Sequence, residues 1–316
     1  MKPATPAVTA ALILFLAAVA TSQAYAQGCS DAGFCTMGAM KPDQPFNKKI
    51  DFRLRSMEIS FYRGTTPLSP KIYVATADLS FSLNAKTTFQ LKVPWQSATG
   101  TLGKTSSLGD LSLCLTRNLK STEKYDINIT LGGKIPTNNS DLEEDGRPLP
   151  MYYQTSLGTY DFITGISIVT PKWLVATGIQ HPFNRNKNDF LWSRWENSVH
   201  SEEYLLKYAQ AKDLKRGTDV MLRVERNFRF SRLNISAGLL PIYRITNDEF
   251  INDDGKVIRP DKAKGLALSA IGTVGYQFNV RTGIKVLFGI KLVQRERNPD
   301  GLTREVVNTV SYFYRF

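Results

Sequence analysis

The feature that most constrains this chain is a two-residue hydrophobic rhythm that runs for 8–12 residues at a time and returns about a dozen times. Tyr73, Ala75, Ala77, Leu79, Phe81 and Leu83 share one face, while Thr76, Asp78, Ser80 and Ser82 share the other. Phe89, Leu91, Val93 and Trp95 alternate with Gln90 and Lys92, and Tyr160, Phe162, Thr164, Ile166 and Ile168 alternate with Asp161, Ile163, Gly165 and Ser167. Period two with opposed apolar and polar faces marks a β-strand. Strands of soluble sheets mostly run to about 5–6 residues, whereas a strand that crosses a bilayer needs about 9–11. Twelve runs start near residues 49, 71, 87, 110, 124, 153, 172, 217, 232, 266, 281 and 303. The first slips phase near Arg55, between Ile50-Phe52-Leu54 and Met57-Ile59-Phe61, which predicts a bulge. Fourteen strands is the alternative if one hairpin is hidden in a connection.

The connections alternate in length. Asn84-Ala85-Lys86, a link near Lys120, Thr170-Pro171, Ser231-Arg232 and Asn279-Val280 are short; 96–109, 134–151, 182–216 and 246–264 are long. Short turns at one end and long loops at the other are the pattern of an antiparallel up-and-down transmembrane barrel. An even strand number puts both ends of the barrel segment on the short-turn side. The fold class expected is therefore all-β, a barrel over 47–316. A soluble β protein has no need of this one-sided asymmetry.

Composition narrows the options. No set of 20-residue apolar runs exists for a helical bundle, and 3 Cys cannot staple 316 residues. Lys2, the apolar run Ala10 to Ala20 and Ala24-Tyr25-Ala26 read as an export signal over 1–26. Export turns the net charge of +12 away from nucleic acid and towards membrane surfaces or an anion pathway. Residues 27–46 are expected to form a periplasmic segment or a short plug. Cys29 and Cys35 sit close enough to close a small loop, leaving Cys114 free.

The chain ends Val310-Ser311-Tyr312-Phe313-Tyr314-Arg315-Phe316. This resembles the last strand of Gram-negative outer-membrane barrels, and the resemblance implies that Phe316, Tyr314 and Tyr312 form a signal for the barrel-assembly machinery. Phe89, Tyr125, Trp173, Phe230 and Phe278 fall near one set of strand ends and Tyr73 and Trp95 near the other, as two interfacial belts require. Arg226 breaks the pattern, being in phase with outward Val220, Leu222, Val224 and Phe228. An outward Arg at mid-bilayer costs about 2–4 kcal/mol, so a bulge or a rim position is expected there.

Leu108-Gly109-Asp110-Leu111-Ser112-Leu113-Cys114-Leu115 resembles a Gly-Asp-Leu-x-Leu strand opening of outer-membrane transporters linked to aromatic-compound degradation, distant relatives of long-chain fatty-acid channels. The resemblance implies an outer-membrane location and passive uptake of small, often hydrophobic molecules. Fatty-acid channels carry an N-terminal hatch with an Asn-Pro-Ala motif, which is missing from Gln27 to Phe46.

If the apolar faces meet lipid, Arg53, Arg55, Lys92, Arg223, Arg229, Lys285, Lys291 and Arg315 line the lumen with Asp78, Asp126, Asp161, Glu225 and Glu305. One reading is an open channel with a basic bias that favours anionic solutes; the other is a narrow lumen filled by paired charges. The 182–216 loop, with Trp192, Trp195, Tyr204 and Tyr208 and a predicted helix over Ser198–Leu214 capped by Ser198 or Asn197, either folds into the mouth as a constriction or packs outside. Acidic runs at 140–146 and 252–255 lack calcium-loop spacing, so no metal site is assigned; beside lipopolysaccharide they read as solvated loops. Twelve-stranded outer-membrane phospholipases place a Ser two positions after a His, a spacing that neither His181 nor His200 has. The chain is therefore expected not to be an enzyme and to carry no cofactor. A non-conducting structural or adhesive barrel is the other alternative.

Overall fold

A computed structural model describes residues 37–41 and 53–316. Twelve long strands form the wall: β1 (Arg53–Thr65), β2 (Lys71–Asn84), β3 (Thr87–Gly100), β4 (Leu111–Ser121), β5 (Asp126–Ile135), β6 (Asp161–Val169), β7 (Trp173–Pro182), β8 (Asp219–Arg229), β9 (Leu233–Arg244), β10 (Gly265–Gln277), β11 (Thr282–Val293) and β12 (Val306–Arg315). Each pairs with the next, and β12 returns to β1 through an unbroken antiparallel register from Ser56↔Arg315 to Gly64↔Val307. Closure leaves no free edge, which a sheet in hydrocarbon cannot tolerate. The predicted slip is present: the β1–β2 register shifts between Leu54 and Ser56.

Three expectations need correction. The sixth strand begins at Asp161, not near 153, because Met151–Tyr153 winds into a buried 3₁₀ turn. The twelfth begins at Val306, after Thr303 and Arg304 are buried in the preceding loop. The 96–109 connection is not a plain loop. β3 runs on to Gly100 and hairpins into an accessory strand, Gly103–Leu108, so its upper half pairs with that strand and its lower half with β4. The change of partner falls at Pro94, which has no N–H for a continuous ladder and whose carbonyl accepts from Gly109 N at 2.8 Å.

The wall is inside-out relative to a soluble protein. Phe61, Leu131, Ile166, Leu222, Leu239 and Leu292 are exposed around its outside, while Arg223 and Arg244 are among the largest fully buried side chains. An apolar surface of this extent is stable only against an apolar medium. Among the described residues no helix is long and apolar enough to cross a membrane. The expected belts are present, with Trp173, Phe230 and Phe278 exposed at the short-turn rim and Tyr73 and Trp95 at the other. Arg226 pairs in register with Trp173, the first residue of β7, and its guanidinium lies 4.9 Å from that ring's centroid. The rim position, together with the cation–π contact, removes the cost expected of an outward Arg.

Candidate functional site in the barrel lumen

The same alternation that points leucines outward delivers polar residues to the interior. β2, β3 and β4 bring Asp78, Gln90 and Cys114 inward, and β8 brings Met221, Arg223 and Glu225. Into this space enters the N-terminal segment. Gly38–Met40 forms one 3₁₀ turn packed on β4, β5, β6 and β7. Met37 and Met40 are buried with Cys114, Ile163, Leu174, Ala176, Met221, Leu240 and Ile271, an apolar floor inside the barrel. Cys29 and Cys35, and the export signal, lie outside the described residues.

The turn is held by a polar cluster. Gln90 accepts from Gly38 N at 2.8 Å and from the Cys114 thiol at 3.3 Å, and its amide donates to both Asp78 carboxylate oxygens. Lys41 reaches Asp78 at 2.7 Å and Glu58 at 3.1 Å; Lys285 reaches Glu58 at 3.2 Å and Lys92 lies 3.8 Å from Asp78. Gly38 is required at its position. Its φ is +48°, and an added Cβ would lie 2.5 Å from Thr116 Oγ1 and Thr130 Cγ2.

The fill is uneven. Arg223 and Glu225, paired to each other on β8, have side chains only 1% exposed, so that side of the lumen is packed solid. Lys41, Glu58, Lys92 and Lys285 retain 22%, 16%, 16% and 14%. A less tightly filled seam therefore runs along β1–β3 and β11, bordered by these charges.

Above the seam sits an aromatic cap. Tyr153, Phe190, Trp195 and Tyr208 from the loops are buried with Tyr62, Ile72, Val74 and Val307 of the wall. The Tyr208 hydroxyl lies 2.9 Å from that of Tyr204, and Tyr204 donates to Ser69 at 2.6 Å. Trp192 and Trp195 donate to Tyr208 O and Pro148 O at 2.9 and 2.7 Å. Burial pushes the neighbouring Tyr152 hydroxyl up to about 12 and also raises Tyr153 and Tyr208. These hydroxyls stay protonated donors at ordinary pH, so the cap is uncharged. All four proposed constriction residues belong to it. The helix predicted over 198–214 shrinks to Glu202–Leu205, after Ser201, with no side-chain cap. The chain beyond is drawn out by Ala211 N and Asp213 N bonding to Phe190 O and Asn188 O.

A second charged cluster seals the loop end. Arg244 reaches Asp219, Asp248 and Asp300 at 2.6, 2.7 and 2.7 Å, Arg295 lies 3.5 Å from Asp300, and Arg216 and Gln180 bond Asp161. Lys134 lies 3.6 Å from Asp110, which accepts from Ser156 and from Leu157 N. A cavity of about 20 Å³ between Asp110, Lys134, Gln154 and Arg304 has room for a single water.

The sequence-derived lumen set therefore separates. Asp78, Lys92 and Lys285 join at the plug, and Arg223 and Glu225 pair with each other. Asp161 belongs to the loop-end network. Arg315 packs over Phe313, 4.9 Å from its centroid, and the half-buried Arg55 lies at the bulge near it. Asp126 is buried at the foot of β5, Arg229 is exposed at the rim, Lys291 bonds Gln294, and Glu305 N bonds Thr65 O. Arg53 opens β1. Glu58, Gln90, Lys134 and Arg244 were missed. Glu58 was legible from its place between outward Met57 and Ile59; Lys41 lies outside any strand and gave no periodic signal. Tyr312 and Phe316 are exposed on the outer face, and Tyr314 packs edge-on to Phe316 at 4.8 Å.

No metal-holding group of His, Cys, Asp and Glu occurs among the described residues. His181 Nδ1 lies 2.8 Å from Thr218 Oγ1, and His200 lies between the Trp195 and Tyr204 rings.

No protein-family model matches the chain, and no curated protein matches its sequence. Solved structures do. An outer-membrane channel from Pseudomonas putida F1 overlays with a TM-score of 0.61 at 14% identity, covering 86% of this chain and 99% of that one. The KdgM porin in complex with disordered oligogalacturonate gives 0.44 at 8% identity, covering 83% and 99%. Outer membrane phospholipase A from Escherichia coli gives 0.40 at 8%, covering 84% and 99%. Only the first overlay is close enough to argue from, and it speaks for the fold. This chain has the fold of the outer-membrane β-barrels. The distant resemblance read from its strand opening and terminal strand is of that kind.

Proposed function

We propose that the protein is a channel of the Gram-negative outer membrane that admits small solutes and is held shut by its own N-terminal segment. The observation that carries this reading is the Met37–Lys41 plug, seated on the apolar floor by Met37 and Met40 and tied to the wall by the Gly38–Gln90 hydrogen bond and the Lys41 ion pairs, beside a partly exposed seam. A plug tied by exchangeable polar contacts is releasable in a way that a covalently continuous core is not. The fold of the Pseudomonas channel supports a channel over an enzyme. In this reading the short-turn rim faces the periplasm, the long loops face lipopolysaccharide, and Phe316, Tyr314 and Tyr312 serve as the signal to the assembly machinery.

The basic bias is smaller than the sequence implied. With the plug docked, three lysines face two carboxylates at the seam; with Lys41 withdrawn, Lys92 and Lys285 balance Glu58 and Asp78. Weak charge selectivity follows, and the apolar floor suits small, partly hydrophobic solutes. The packed Arg223 side of the lumen favours the second reading, a non-conducting structural barrel. Planar-bilayer recording separates the two. The channel reading expects rare openings from the full chain and frequent ones from a chain lacking residues 27–46. Silence from both, with the barrel folded, supports the structural reading.

A further inference from the structure

The two rims treat their cations differently. At the loop end, carboxylates stand among the cations: Arg185 and Arg259 share Glu249, Lys212 and Arg194 share Asp189, and Lys262 pairs with Glu296. At the turn end carboxylates are scarce. Each of the five short turns carries an exposed cation: Lys86, Lys124, Lys172, Arg232 and Arg281, with Arg229 beside Arg232. The same turn segments contain only Glu123 and Asp126 as acids. None of these six cations makes an ion pair with a described carboxylate.

Unmatched charge at a membrane rim is placed among apolar anchors here. Trp173, Phe228, Phe230, Phe278 and Val280 are exposed between the cations. Arg226 lies 4.9 Å from the Trp173 ring centroid and 5.8 Å from that of Phe228. Lys120 lies 5.6 Å above Tyr125. Aromatic rings settle at headgroup depth, which holds the cations level with lipid phosphates. A surface cation beside anionic headgroups gains from each added charge, and the gain is screened by salt.

We propose that this basic, aromatic ring is a selective docking surface for anionic phospholipid headgroups of the leaflet facing the short turns. The proposal rests on the membrane reading given above. It commits to lipid rather than soluble phosphate, because the rings around the cations need an acyl layer to occupy. It makes the ring a collar of bound anionic lipid around the turn-end mouth of the barrel.

The test uses the full chain refolded into phosphatidylcholine vesicles that contain either brominated phosphatidylglycerol or brominated phosphatidylcholine in equal amount. Bromine quenches nearby tryptophan, and Trp173 is the reporter at this rim; a Trp95→Phe background removes the exposed tryptophan of the other. The expected result is quenching by the glycerol lipid at least about two-fold stronger than by the choline lipid, falling towards parity in high salt. Lys172→Gln/Arg229→Gln/Arg232→Gln is expected to reach parity in low salt while retaining the wild-type heat-modifiable mobility of a folded barrel. Free inorganic phosphate is expected to leave the ratio unchanged. Equal quenching by both lipids in a folded, inserted wild-type barrel overturns the proposal and leaves the ring for an acidic polypeptide. Loss of the preference on adding phosphate also overturns it. No quenching by either lipid means that the chain has not inserted, and the membrane reading fails instead.

Discussion

Replacing Lys41 by methionine keeps most of the side-chain volume of the plug and removes its charge. Lys41 is the only cation the described plug contributes, and it contacts Asp78 and Glu58 at 2.7 and 3.1 Å. Removing one partner of a fully buried pair costs about 3–5 kcal/mol. The cost here is smaller, because Lys41 keeps 22% exposure and because Lys92 and Lys285 remain to balance the two carboxylates. A loss of about 2 kcal/mol in plug docking is reasonable, and at 1.4 kcal/mol per decade it shifts the docked-to-undocked ratio about thirty-fold. Open probability in single-channel records should rise by a similar factor, with the conductance of each opening unchanged. Asp78→Asn should move it in the same direction. A Lys41→Met barrel that is folded and opens no more often than wild type refutes the electrostatic tether.

Gly38→Ala tests the same docking through sterics: its methyl meets Thr116 and Thr130 at a positive φ, so openings should become frequent without any change in charge. Arg223→Met should lower barrel stability by about 3–5 kcal/mol in urea unfolding, and Arg223→Met/Glu225→Met should recover most of it, because the orphaned charge is what costs. Arg244→Met leaves Asp219, Asp248 and Asp300 without their shared cation, and limited proteolysis should then cut the 244–265 and 293–306 loops while sparing the wall. Burial, outweighing Lys134 and the Ser156 bond, holds the Asp110 carboxyl above its ordinary value. Its contribution to loop-clasp stability is therefore full below the ordinary carboxylate range and falls as pH rises through the raised value; Asp110→Asn should flatten that pH dependence in hydrogen exchange of Leu157 N.

The wall was legible in the sequence because a barrel writes itself in period two. Ile166 and Ser167 declare their faces without reference to any distant contact, and the Arg55 slip declares its bulge. The lumen's contents were not legible for the opposite reason. Lys41 sits in a segment with no period, and although its partners Glu58 and Asp78 face each other across the β1–β2 pairing, only the tertiary fold carries Lys41 to them. The Arg244 network joins residues from the 244–265 and 293–306 loops, whose meeting is set by tertiary structure alone. The 198–214 helix failed because Phe190 and Asn188 offered backbone partners that outcompeted a short, marginal helix.

The most direct test of the account is to lock the plug and record. The Lys41 and Glu58 side chains meet at 3.1 Å, so a Lys41→Cys/Glu58→Cys pair, in a background with the native cysteines replaced by serine, can be joined through disulfides by a short bifunctional methanethiosulfonate. The account predicts a channel that stays shut when cross-linked and opens frequently once reductant is added. Equal current before and after reduction of a demonstrated cross-link contradicts it, because solute would then be passing, or failing to pass, without regard to the segment said to close the barrel.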